Sequence, residues 1–352
     1  MLHVIQTFGD ELPAACRHSC QETWSIFDSF LAKYGTDYDL CERTTRVLRH
    51  GLTLFGDVAL PVAASAMSRL TAGFDTTGFP SNLWIAGKIV QRFGDEENSA
   101  LRATFQEVFE HSTRKVAEML QVKPPGDIPD GEMCFTRLFS IFDFVPTVLE
   151  DYIHLLLELV EHAPDVFFQS SAFPLAFRAT MTALTIIHSD IIFRALDLFR
   201  IILTHDCLAP NTPQPPKFPV YAAAINGVVE SEGFTFVGYL LAGLIGHFPE
   251  DSTSTVVSIF RMLAALWTAQ LLAWLPPILE QLPTAAAPNQ AKAQFMADVT
   301  RYVNYKHSLL VLTGFVSSVN NGEFDKVKYA IITLHRVSRK VRDRRRAGPL
   351  DH

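Results

Sequence analysis

The chain is short of charge, of paired cysteines and of strand-like alternation, and each shortage removes a class of protein. Charged residues make up 19% of its 352 positions against 48% hydrophobic, a balance that buries a large core and excludes global disorder. The five cysteines, Cys16, Cys20, Cys41, Cys134 and Cys207, are odd in number and include no CxxC pair. That speaks against a disulfide framework and against a zinc ribbon. Cys16, His18 and Cys20 have a metal-like look, but no second Cys/His pair stands at ligand spacing, so no metal is expected.

Catalytic signatures are missing as well. There is no GxxxxGK[ST] phosphate loop, no GxGxxG, no GxSxG elbow and no HExxH. His188-Ser189-Asp190 and His205-Asp206 are neighbours in sequence, which is not how triads are assembled. Asp95-Glu96-Glu97 reads as a solvated helix start, where negative charge is favourable. The expectation is a protein that is not an enzyme and takes no cofactor.

The formal net charge is −7. A body built to grip nucleic acid is normally basic, so direct specific nucleic-acid binding is not expected. The amino end has no basic stretch followed by an apolar one, so no signal peptide is expected. The most membrane-like run, 234–248, is about five residues short of a span and is interrupted by glycines. It reads as a buried helix, with no membrane insertion.

What the chain does have is helical periodicity. Apolar stripes predict helices over 18–34, 39–55 with Asp39 as N-cap, 57–72, 80–93, 98–121, 131–144 and 146–161. They continue over 165–187, 189–204, 220–231, 234–248, 252–281 (bent or split at Pro276-Pro277), 290–305, 307–319 and 324–345. Pairs of such segments recur at about 40 residues, the period of HEAT and armadillo repeats. Short connections force antiparallel neighbours, and one pair cannot bury its stripe alone, so pairs stack.

The fold expected is all-α, a right-handed superhelical HEAT-repeat solenoid of antiparallel helix pairs. It forms a single array over 1–352, with a proline-rich connector at 209–219 and a basic tail at 336–352. The apolar opening, 1–8, begins abruptly, as though a helix before it were missing. The expectation is the carboxyl-terminal part of a longer solenoid.

The most suggestive polar feature is Arg43, Arg46 and Arg49, spaced i, i+3, i+6. At 100° per residue they drift slowly round one side of a helix as a strip of guanidinium groups. Leu40, Val47, Leu48, Leu52 and Phe55 are available to bury the other side. Arginine suits phosphate because its planar fork donates two parallel hydrogen bonds. Two readings stand: a site for phosphorylated or acidic peptide, or an exposed face paired with neighbouring acids. The run from Arg336 to Arg346 is a second basic feature, either a charged tail or a weak phosphate contact.

The stretch HSCQETWSIFDSFL…LCERTTRVLRHGL resembles the transportin-SR import receptors of the karyopherin-β family, including their fungal mRNA-transport-regulator members. So does VFFQSSAFPLAFRATMTALTIIHSDIIFRALDLFRIILTH, and the likeness continues more weakly to the end. The resemblance implies a nuclear import receptor whose arginine-rich helix, on the concave surface, contacts the phosphorylated arginine-serine region of SR-type RNA-binding cargo. It assigns that role to Arg43, Arg46 and Arg49. The family has a further arginine about one turn later, where this chain has Thr53, which weakens the expected demand for phosphate.

Lys88 and Arg92, i and i+4 on the next inner helix, extend the positive strip without a motif match. Ran-GTP is a family partner held mainly by amino-terminal repeats, so it is expected to bind weakly or not at all here. Nucleoporins are further implied partners, and shuttling between cytoplasm and nucleus is the implied location. The competing expectation is a generic HEAT scaffold subunit with no transport role.

Overall fold

The computed structural model describes residues 14–120, 145–209, 215–312 and 330–339, with side chains from 18 onward and, in the helix that ends at 312, as far as 301. Among these residues every regular element is helical. The helices are α1 (Ala14–Tyr34), α2 (Tyr38–Phe55), α3 (Leu60–Thr77), α4 (Pro80–Phe93), α5 (Ser99–Met119), α6 (Val145–His162) and α7 (Pro164–Gln169). They continue with α8 (Phe173–Ala183), α9 (Ser189–Leu203), α10 (Phe218–Ile245), α11 (Thr253–Leu266), α12 (Thr268–Gln281) and α13 (Asn289–Leu312). Residues 330–339 are also helical. The predicted helix at 131–144, positions 210–214 of the connector and most of the basic tail lie outside the described residues.

Local chemistry explains where these helices start and stop. The Asp37 carboxylate accepts from the Leu40 amide at 3.0 Å, so Asp37 rather than Asp39 caps α2. Gly78 ends α3 with φ 73°, a left-handed conformation that costs glycine nothing, and Pro80 opens α4 with its missing N–H where no bond was needed. Asn98 caps α5, its side-chain oxygen accepting from the amides of Ala100 and Leu101.

The chain divides into two compact units, 1–123 with 138–182 and 214–224, and 124–137 with 183–213 and 225–352. In the first, consecutive helices pair across short turns, α1 with α2, α3 with α4 and α5 with α6. Alternate helices also stack: α1 on α3 on α5 in one layer, α2 on α4 on α6 in the other. This is the two-layer logic of a HEAT array, each pair burying its stripe against the next. The core includes Phe74, Phe93, Phe105, Phe109 and Tyr152, all fully buried.

The tightest crossing is α4 on α6, and two glycines spaced seven apart permit it. A Cβ on Gly87 would stand 3.2 Å from the His154 ring, and one on Gly94 would overlap the Cβ of His162. In the second unit α9 packs on α11, α11 on α12 and α12 on α13.

Four of the expected segments or pairs of segments have other boundaries. The segment 165–187 breaks at Ser170, whose hydroxyl accepts from the Ala172 amide at 3.1 Å and so terminates α7. The segments 220–231 and 234–248 are one helix, because Gly233 is not a stop: it makes room for the Trp274 ring lying against it. The segment 252–281 breaks at Trp267, whose indole N–H donates to Asn226 at 3.1 Å, and not at its prolines. Pro276 and Pro277 stay inside α12, held by the buried Leu271, Leu275, Ile278 and Leu279. Likewise 290–305 and 307–319 begin as one helix, α13.

Two described stretches are apolar and long enough to cross a membrane. In Phe218–Ile245, 72% of the apolar window is buried inside the protein, as in a core helix. Tyr38–Thr77 reaches that length only by running through the turn at Gly56, where φ is 52°.

Candidate functional site: a basic strip beside Trp84

The α2 helix places its arginines outward through a buried stripe that is partly polar. Cys41, Thr44 and Thr45 are its buried residues. The threonines are accommodated because each hydroxyl donates to a carbonyl of its own helix, Thr44 to Leu40 at 2.6 Å and Thr45 to Cys41 at 3.0 Å. Val47, expected inside, is 47% exposed, since it follows the outward side where the arginines stand.

Arg43, Arg46 and Arg49 are all exposed, and they differ in their partners. Arg43 has no hydrogen bond or ion pair among the described residues. Arg46 donates through Nε and Nη2 to Glu42 Oε1, at 3.2 and 3.1 Å, an i, i+4 pair on the surface. Arg49 has no carboxylate partner among the described residues; its guanidinium carbon lies 4.5 Å from the centre of the Trp84 ring on the neighbouring α4. Thr53, about one turn later, is exposed, and its hydroxyl donates to the Arg49 carbonyl at 3.1 Å.

On α4 the two further cations are already engaged. Lys88 Nζ stands 5.9 Å from the same Trp84 ring, donates to Gln91 Oε1 at 2.9 Å and lies 3.7 Å from Glu158 on α6. Arg92 Nη2 lies 2.6 Å from Asp57, in the turn after α2. The sequence pointed to both cations, but not to these acids, which come from other helices and turns. It also missed Trp84, although the i, i+4 spacing of Trp84 and Lys88 on one helix was a readable sign.

Glu158 is the hub of an adjoining network. Its carboxylate faces His154 Nδ1 and His162 Nε2, each at 3.6 Å, besides Lys88. Burial raises its pKa by more than Lys88 and His162 pull it down. Glu158, Glu161 and His162 offer ligand atoms within 4.8 Å of one another. Lys88, however, holds a positive charge against the central carboxylate, and the grouping reads as an internal ion network.

The remaining sequence candidates are not drawn into a site. His18 Nε2 lies 3.2 Å from Glu22, on its own helix, and Cys20 is buried with its thiol pushed up by desolvation. The side chain of Cys16 is outside the described residues. His205 Nδ1 accepts from the Cys207 amide at 3.1 Å, capping a short turn, and its pKa is lowered by burial. Arg339, in the basic run, pairs with Glu250. An apolar cavity between α1, α2, α3 and α4, lined by Trp24, Phe27, Leu52, Phe55 and Ile85 among others, gathers no acids or bases.

Comparison with known proteins shows what this chain is similar to. Residues 14–120, which contain the whole basic strip, match the family model of the transportin-3/importin-13 fourth TPR domain. An uncharacterized protein of Schizosaccharomyces pombe, C11G11.07, is 21% identical over 294 residues, covering 80% of this chain and 28% of that protein. The mRNA transport regulator MTR10 of Saccharomyces cerevisiae is 34% identical over 77 residues, 21% of this chain and 8% of that one. A solved structure of importin-13 in its cytosolic state matches with a TM-score of 0.63 at 14% identity, covering 96% of this chain and 34% of that one. That match shows a shared all-α HEAT-solenoid fold. The chain thus spans about a third or less of the relatives it matches.

Proposed function

We propose that this chain, whose residues 14–120 match the transportin-3/importin-13 family model and which covers part of the length of its relatives, is a cargo-holding segment of a nuclear import receptor. The cargo class is the SR or RS type of RNA-binding protein, and the contact is made by Arg43, Arg46 and Arg49. The observation that carries this reading is the state of the strip: among the described residues Arg43 is unpaired and Arg49 has a ring, not an acid, as its partner. Two guanidinium groups without a carboxylate on one exposed helix face leave donor forks open to phosphate or to acidic side chains. The presence of a named mRNA transport regulator among the relatives agrees with RNA-binding cargo.

Ran-GTP, nucleoporins and shuttling between nucleus and cytoplasm belong to this proposal at the level of the whole receptor. In a full-length receptor Ran and cargo affinities would be linked energetically. The cargo segment by itself is expected to bind cargo without that control.

The scaffold reading has one observation in its favour. Arg46, Lys88 and Arg92 are each matched to an acid of this chain, Glu42, Glu158 and Asp57. A surface that neutralises its own cations has less to offer a partner. One experiment separates the two: fluorescence anisotropy with a labelled arginine-serine peptide carrying phosphoserines, on the wild type and on Arg43→Glu with Arg46→Glu. Import binding predicts loss of at least about tenfold in affinity, from reversed charge at two contacts. Equal affinity in the double variant would remove the assignment and leave the scaffold.

A further inference from the structure

We propose that Trp84 is a positioning residue of the basic strip, and that the cargo surface therefore spans two helices, α2 and α4, and takes an extended segment bearing phosphoserines. This rests on the import reading above and deepens it.

The Trp84 indole is half-buried. Its neighbours Leu83 and Ile85 are buried to 0% and 1% exposure, so the backbone that carries Trp84 is fixed in the core. Two cations stand by its ring, Arg49 at 4.5 Å and Lys88 at 5.9 Å. Lys88 is satisfied by Glu158 and Gln91, whereas Arg49 has no acid among the described residues. The ring is thus the means by which Arg49 is held.

Holding by a ring differs from holding by a carboxylate in one useful respect. A carboxylate consumes the N–H donors of a guanidinium, as Glu42 does for Arg46. A ring attracts the charge through its quadrupole and leaves the N–H edge unused. A long, freely rotating arginine also loses side-chain entropy when it binds, and a stacked one has lost part of it beforehand. Trp84 therefore presents Arg49 both ordered and undonated, the state in which a planar fork meets a phosphate with least cost. Arg43 and Arg46 continue the same strip on α2, so successive acidic groups along an extended segment meet successive arginines.

The test is a double-mutant cycle on the 352-residue chain, read by anisotropy of a phosphorylated arginine-serine peptide. Trp84→Leu is expected to weaken binding by about fivefold, and Trp84→Phe by no more than about twofold, since a smaller ring keeps part of the attraction. In an Arg49→Ala background Trp84→Leu is expected to change nothing further, the non-additivity of one residue acting through another. The inference is overturned if Trp84→Leu binds as the wild type does while Arg43→Glu with Arg46→Glu abolishes binding; the import reading then stands without it. It is equally overturned if Trp84→Leu weakens binding as much without Arg49 as with it, because the loss is then general destabilisation. Binding indifferent to all of these substitutions removes the import reading itself.

Discussion

The hydroxyl of Tyr152 on α6 donates to Thr113 Oγ1 on α5 at 2.9 Å, with both side chains fully buried. Burial raises the phenol pKa, far more than the bond to Thr113 lowers it, so Tyr152 stays protonated and a donor throughout the physiological range. Tyr152→Phe leaves the Thr113 hydroxyl without this partner and is expected to cost about 1 kcal/mol in urea unfolding. Adding Thr113→Val, which replaces both partners by apolar groups, is expected to recover most of that loss. A double variant less stable than Tyr152→Phe would show that the bond is not the source.

Asp75 on α3 binds His111 Nδ1 at 2.7 Å and Arg114 at 3.3 Å, both on α5. Desolvation pushes its carboxyl up, but the bond from His111 and the charges of His111 and Arg114 together bring it below the ordinary value of 3.8. A carboxyl lowered by folding adds stability above its unfolded pKa, and that contribution is lost as pH falls through the folded one. Asp75→Asn is therefore expected to lower Tm at pH 7 and to converge on the wild type below about pH 3.8. A constant gap at all pH values would mean that packing, not charge, is lost.

Glu158 works in the opposite sense. Its folded pKa lies above the model-compound value of 4.5, mainly through burial, so the folded state binds the extra proton. Stability therefore falls as pH rises from about 4.5 through the raised value, and levels off above it. Glu158→Gln removes this titration, so the wild type should lose ground to the variant across that window in a thermal-melt series. Lys88, His154, His162 and Glu161 all face or neighbour the carboxyl.

The glycines of the chain are not alike. A Cβ on Gly94 would meet the His162 side chain and come within 2.9 Å of its carbonyl oxygen. Gly94→Ala is expected to cost about 2 kcal/mol, the scale of forcing extra volume into a packed seam. Gly227 and Gly238, inside α10, have nothing within 4 Å of such an atom. Alanine there is expected to stabilise by about 0.5–1 kcal/mol, by removing the entropy that glycine costs a helix. Chemical denaturation of the three variants checks both signs.

Much of this molecule was legible in its amino acids. The caps at Asn98 and the Gly78–Pro80 turn are local chemistry, so helix ends there follow from sequence. The arginine spacing was legible for the same reason, since helical phase alone sets which side chains share a face. What was not legible came from contacts between helices. Gly233 looked like a stop until the Trp274 ring was seen against it, and Trp267 ended a helix that its prolines did not. Val47 was expected inside because it is apolar, yet two threonines that satisfy their own hydroxyls took the buried side. Trp84 was passed over in the sequence, and the meeting of α2 with α4 made it the partner of Arg49.

The buried threonines of α2 carry a consequence for how such a surface diverges. Thr44 and Thr45 seat the helix from within, while Arg43 stands exposed, with no hydrogen bond or ion pair among the described residues. Anchorage and outward display are thus written in separate letters of the same eighteen-residue word. A lineage can respell the second set without renegotiating its architecture.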